Sequence, residues 1–176
     1  MGKVLPTFDL GWPGAPSRSV DEVIVSLKNA GTTPIRFGAP VFLDASGAGV
    51  SAFVTGMSPG ETRTFEKFVG FAVRDPAKTP DTYPQAQDMM TDVGYQEGQW
   101  NPGEVVEVLV QGCIALRAIA GFQPGGKTYI RKLDGSLVAG AGAEGTTLLL
   151  ENVRCKTPQQ GNGTCSEFVV TKRNIL

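Results

Sequence analysis

Apolar and polar residues alternate with a period of two along much of this chain. The clearest run is residues 104–118, EVVEVLVQGCIALRA, which sets Val106, Val108, Val110, Ile114, Leu116 and Ala118 on one face, with Gly112 in the same register. Glu107, Gln111 and Arg117 fall on the other face among smaller apolar residues. Successive strand side chains point to opposite faces, so this spacing predicts one long strand with a buried face, bent or bulged at Gly112. Weaker runs of the same kind occupy residues 34–43, 50–54, 64–69, 127–131, 147–153 and 167–171. Between the runs stand turn signals: Ser46-Gly47, Pro59-Gly60, Pro102-Gly103, Pro124-Gly125-Gly126, Asp134-Gly135 and Asn162-Gly163.

Helix has little place in this pattern. Residues 20–28, VDEVIVSLK, are rich in β-branched side chains and favour a strand, while residues 85–90 have room for one helical turn at most. The fold class is therefore all-β: about eight to ten short strands in a small β-barrel or β-sandwich. The strand runs on both sides of residues 76–103 are needed for one core, so residues 20–176 form a single β-rich domain, with a possible subdomain from residue 121. Residues 1–19 are rich in Pro and Gly and read as a flexible N-terminal arm.

The long extended loop at 76–103 is the unusual feature. Unstructured loops beyond about 12–15 residues are uncommon in compact domains and usually serve a function or are disordered. This one carries large amphipathic side chains on a proline-marked strip: Pro80, Tyr83, Met89, Met90, Tyr95 and Trp100. Such a strip suits docking on another surface, and Trp12 in the N-terminal arm joins the same partner-binding set. The competing expectation is that these side chains fold back and cap the open end of their own barrel.

Composition narrows the chemistry. A net charge of −1 and a pI near 5.5 argue against general affinity for nucleic acid. No apolar run approaches the length of a membrane helix, and the first residues lack a signal-peptide core, so the expected location is the cytoplasm of the cell that makes it. Histidine is absent, which removes the commonest general base and zinc ligand. Of the three cysteines, Cys113 reads as a small core residue, while Cys155 and Cys165 flank a hairpin-like stretch and are expected to stay reduced in a cytosolic protein, a disulfide between them being the lesser alternative. Asn162-Gly163-Thr164 fits a glycosylation sequon but reads as a hairpin turn. Asp75, Asp81, Asp88 and Asp92 match no calcium-loop spacing. No catalytic residue, metal ligand or cofactor is assigned.

One motif tempts otherwise. Residues 121–128, GFQPGGKT, match the phosphate-binding pattern GxxxxGK[ST], and Leu148-Leu149-Leu150-Glu151 imitates the acidic partner that holds magnesium. A true phosphate loop opens at once into a helix whose N-terminal amides complete the cradle. Here Tyr129-Ile130-Arg131-Lys132-Leu133 runs straight into the Asp134-Gly135 turn, so a Pro-Gly-Gly turn before a strand is expected instead.

The order of these phrases resembles that of the structural cement, or capsid decoration, proteins of tailed bacteriophages. The phrases are VFLDASG at 41–47, FVGFAVR at 68–74, KTPDTYP at 78–84, YQEG at 95–98, PGEVVEVLVQG at 102–112, the Gly-Lys strand at 126–131 and the Asp-Gly hairpin at 134–135. The resemblance spans roughly residues 20–176. It implies a virion structural protein without enzymatic activity, bound to the exterior of the phage head and stabilising contacts between subunits of the major capsid protein. It implies further a homo-oligomer, dimer or trimer, with no cofactor, nucleic acid or membrane partner. Another phage component, from the tail or head completion, is one alternative. A carbohydrate-binding or hydrolytic β-domain using Trp100 and Tyr95 beside Glu97 and Glu104 is another.

Overall fold

In the computed structural model, residues 12–17, 21–44, 47, 49–53, 64–78, 98–119, 121–158 and 164–174 are described. Eleven strands form there: β1 Val23–Lys28, β2 Ile35–Arg36, β3 Pro40–Leu43, β4 Val50–Ala52, β5 Phe68–Ala72, β6 Gln99–Trp100, β7 Val105–Arg117, β8 Lys127–Arg131, β9 Leu137–Val138, β10 Thr147–Cys155 and β11 Cys165–Val170. The number exceeds the expected eight to ten because β2, β6 and β9 are two-residue strands too short to show an alternation. Two short 3-10 turns, Phe65–Lys67 and Pro76–Lys78, are the helical elements among the described residues.

One sheet of nine strands in the order β4-β3-β5-β7-β11-β10-β8-β9, with β1 also on β7, curls into a half-barrel. The neighbouring pairs are antiparallel, and β2 pairs separately with β6. The long strand β7 is the spine. Its first half pairs with β1, and with β5 at Val108 and Leu109; its second half pairs with β11 from Gly112 to Arg117.

Gly112 marks the hand-over. Its φ is +120°, a conformation that side chains rarely adopt, and a Cβ there would sit 3.1 Å from the Glu22 Cα. The break divides the alternation between two cores. Val106, Val108 and Val110 enter one cluster with Ile35, Phe37, Val41, Val50 and Trp100. Ile114, Leu116 and Ala118, which share their sequence face, enter another built on Phe42, Phe68, Phe71, Phe122 and Phe168. Just before it the register with β1 slips, for Ile24 faces Leu109 and Val23 faces Gln111, which leaves Val110 as an extra residue. Such a bulge shifts every later side chain to the opposite face, so one stripe in the sequence becomes two in space.

The larger core is aromatic. Phe42 lies 5.5 Å from Phe53 and 5.6 Å from Phe68, Phe68 lies 5.3 Å from Phe71, and Phe122 meets Phe168 edge-on at 5.0 Å. Each such ring contributes roughly 1.5–3 kcal/mol by leaving water. Close backbone approach tightens the sheet: a Cβ on Gly70 would lie 2.1 Å from the Leu109 carbonyl oxygen.

Residues 12–17, placed by composition in the N-terminal arm, run along β7. The Gly14 amide donates to the Ala115 carbonyl at 2.8 Å, the Ala115 amide to Ala15 at 2.9 Å, and the Ser17 amide to Cys113 at 3.0 Å. This strap also meets the end of β5, where the Arg74 amide donates to the Gly14 carbonyl at 2.8 Å. Ser17 Oγ donates to a carboxylate oxygen of the buried Glu167 at 2.9 Å.

Candidate functional site

The long segment leaves and rejoins the body at a single neck. At the leaving end, Asp75 accepts the Ala77 amide at 2.9 Å and shapes the turn Pro76–Lys78. At the returning end, a Cβ on Gly98 would lie 2.9 Å from the Lys78 carbonyl oxygen, so the two ends touch. The Gly98 carbonyl accepts the Phe37 amide at 3.2 Å. Lys78 ties the neck together, for its Nζ is 2.8 Å from a Glu104 carboxylate oxygen and 4.8 Å from the centre of the Trp100 ring. The Lys78 ammonium and the Asn101 amide hold the Glu104 carboxyl below its ordinary range.

Trp100 is the wedge of this neck. Only 5% of it is exposed; its indole Nε1 donates to the Val73 carbonyl at 3.0 Å, and Phe37 meets its ring edge-on at 6.1 Å. The fully buried Asn29 fastens it from behind, donating to the carbonyls of Thr33 at 3.1 Å and Trp100 at 3.2 Å. Trp100 therefore holds the body together and offers little surface to a partner. The sequence could not reveal this, because its burial depends on β2, which pairs with it from residues 35–36.

The other expected contact residues fall as follows. Pro80, Tyr83, Met89, Met90 and Tyr95 lie outside the described residues, as do Asp81, Asp88, Asp92, Glu97 and the sequon's Asn162. Trp12 is half-buried at the start of the strap, with the Arg74 guanidinium carbon 4.8 Å from its ring centre. The structure thus brings Trp12 and Trp100 to opposite ends of the segment Val73–Arg74, which neither spacing nor composition showed.

The remaining chemical candidates dissolve in the geometry. Residues 121–128 make a turn at Pro124-Gly125 and pass directly into β8, with the Gly125 amide donating to the Cys155 carbonyl at 2.8 Å. Thr128, which a phosphate loop would offer to a metal, is fully buried. A sugar-binding face on Trp100 is ruled out by its burial, and Glu104 is engaged by Lys78. Cys155 and Cys165 are buried free thiols, opposite Phe168 and Arg117 respectively rather than each other. Burial pushes the Cys155 thiol up from its ordinary value. Among the described residues there is no cluster of three or more potential metal ligands, and no helix is long and apolar enough to cross a membrane.

The profile of the family described as structural cement protein (E217 gp24/Pam3 gp6) matches residues 4–166. This chain belongs to the phage structural cement protein family. The match takes in the strap, the neck and most of the half-barrel. A solved chain from the capsid of Myoviridae phage XM1 shares the fold of this cement protein, with a TM-score of 0.67 over 97% of this chain and 96% of that one at 15% identity. Among curated proteins, none matches. The cement protein is thus a structural component of the virion that stabilises the capsid, and the all-β half-barrel is the scaffold on which it does so.

Proposed function

We propose that this cement protein binds the exterior of the phage head across contacts between major capsid protein subunits, acts as a dimer or trimer, and turns over no substrate. The family match over residues 4–166 carries the reading. The geometry supports it, because the two ends of the excursion meet at Lys78 and Gly98 and are tied by the Lys78–Glu104 ion pair. An excursion whose two ends are pinned together presents its contact residues with less entropy lost on binding than a free tail. Pro80, Tyr83, Met89, Met90 and Tyr95 are the contact residues of that arm, with Trp12 beside its base; Trp100 is their anchor in the body. Modest contacts suffice, since engaging several capsid sites at once multiplies weak affinities.

The test is direct. Purified protein added to expanded, undecorated heads co-sediments with them at micromolar concentration and raises the melting temperature of the shell. Heads that neither bind the protein nor gain thermal stability overturn the proposal.

A further inference from the structure

An open cleft of about 280 Å³ lies where the strap, the β2–β3 turn, the end of β7 and the β8–β9 hairpin converge. Its buried lining is apolar, with Pro13, Phe37 and Leu137 buried and Ile119 half-buried, and its exposed lining carries Arg36 and Arg117. Small-molecule pockets run from about 300 to 1,000 Å³, so this one stands at the small end and has room for a side chain or two. Asp134 also lines it, but that carboxylate already accepts from the Arg131 guanidinium, the Ser136 amide and the Ser136 hydroxyl, which neutralises its charge locally. Arg117 has a contact of its own within the protein. The Arg36 guanidinium is exposed and has no side-chain partner among the described residues. The cleft is therefore apolar inside and cationic at its rim.

We infer that this cleft is a docking pocket for an apolar side chain with a carboxylate beside it, carried on an extended segment of the major capsid protein. The occupant follows from charge complementarity: Arg presents a planar fork of donors that fits a carboxylate in bidentate fashion, and a dry floor beneath favours an aliphatic neighbour. The strap and the β2–β3 turn are both fixed to the body. The Gly38 amide donates to the Ala72 carbonyl at 2.8 Å, and Gly14 is held between Ala115 and Arg74, so the walls are preformed. The identity of the partner rests on the head-binding reading above; the chemistry of the occupant rests on the cleft alone.

Two experiments separate these. An NMR titration of the full chain with the blocked dipeptide acetyl-Leu-Asp-amide moves the amide signals of Phe37, Ile119 and Leu137. Arg36→Glu abolishes those shifts and Arg36→Lys keeps part of them. No shifts at millimolar peptide, or shifts confined to another face, overturn the pocket whatever the heads do. In the head-binding assay, Arg36→Glu/Arg117→Glu weakens association by about tenfold or more, the scale of losing a charge-assisted bidentate contact. Lys132→Glu, a charge reversal elsewhere, changes it less than twofold. A double variant that keeps its Tm and binds heads like the parent overturns the pocket while leaving head binding intact. Failure of the unaltered protein to bind heads overturns the capsid partner, and the peptide titration then decides the pocket alone.

Discussion

Removing the Trp100 indole takes away a filled volume in the smaller core, the hydrogen bond to the Val73 carbonyl and the surface on which Lys78 rests. Large-to-small truncation of a buried aromatic costs about 3–5 kcal/mol. Trp100→Ala is therefore expected to lower stability by that amount in chemical denaturation, with Trp100→Phe costing less because a six-membered ring still fills part of the site, although the five-membered ring and its N–H are lost. Binding of the surviving folded Trp100→Phe protein to heads should stay close to that of the parent, since the residue faces inward. A selective loss of binding with unchanged stability would instead make Trp100 a contact residue.

Single elements carry their own electrostatics. In the β8–β9 hairpin, Asp134 accepts from the Arg131 guanidinium, from the Ser136 hydroxyl at 2.6 Å and from the Ser136 amide at 3.1 Å. Arg131 beside it is the main cause that holds its carboxyl far below the ordinary carboxylate range. A carboxyl depressed on folding stabilises the native state above its unfolded pKa of roughly 3.9, and that gain fades as pH falls towards the folded value. Asp134→Asn is thus expected to lower Tm slightly at pH 7, the small size reflecting side chains that are 41% and 38% exposed. The difference from the parent should shrink steadily below about pH 4, as thermal melts across that range would show. A gap that stays constant with pH would remove the ion pair from the hairpin's stability.

At the scale of the molecule, the neck brings Lys78 and Gly98 together at the edge of the half-barrel. Lys78, Trp100 and Glu104 belong to the body on grounds of packing and charge. Excising residues 79–97 and joining the ends through two glycines should leave a folded β-domain. Its Tm should be unchanged or slightly higher, because closing a shorter loop costs less entropy, about 0.6 kcal/mol for each halving of length. Head binding should fall below detection in the same preparation. An excised protein that unfolds would make residues 79–97 the cap of their own core, which is the expectation that competes with a docking arm.

The β class, the places of β1, β8, β10 and β11, and the turn in place of a phosphate loop were legible in the sequence alone. Period-two alternation and Pro-Gly or Asp-Gly signals are local, and local steric preference determines them. Family resemblance was legible for the same reason, in the order of those local phrases. Three things were decided only by the tertiary structure. The stripe from Val106 to Ala118 was divided between two cores by the register slip at Val110 and the positive-φ Gly112 that follows it, where the backbone of Glu22 closes in. The strap at residues 12–17 became part of the sheet because Cys113 and Ala115 of β7 supply its partners. And Trp100, expected from the loop's composition to contact a partner, was buried by β2 and Phe37 from far along the chain. Alternation tells which residues can share a face. Which faces meet, and where a cleft such as that between Arg36 and Leu137 opens, depends on contacts between segments that no short window of sequence contains.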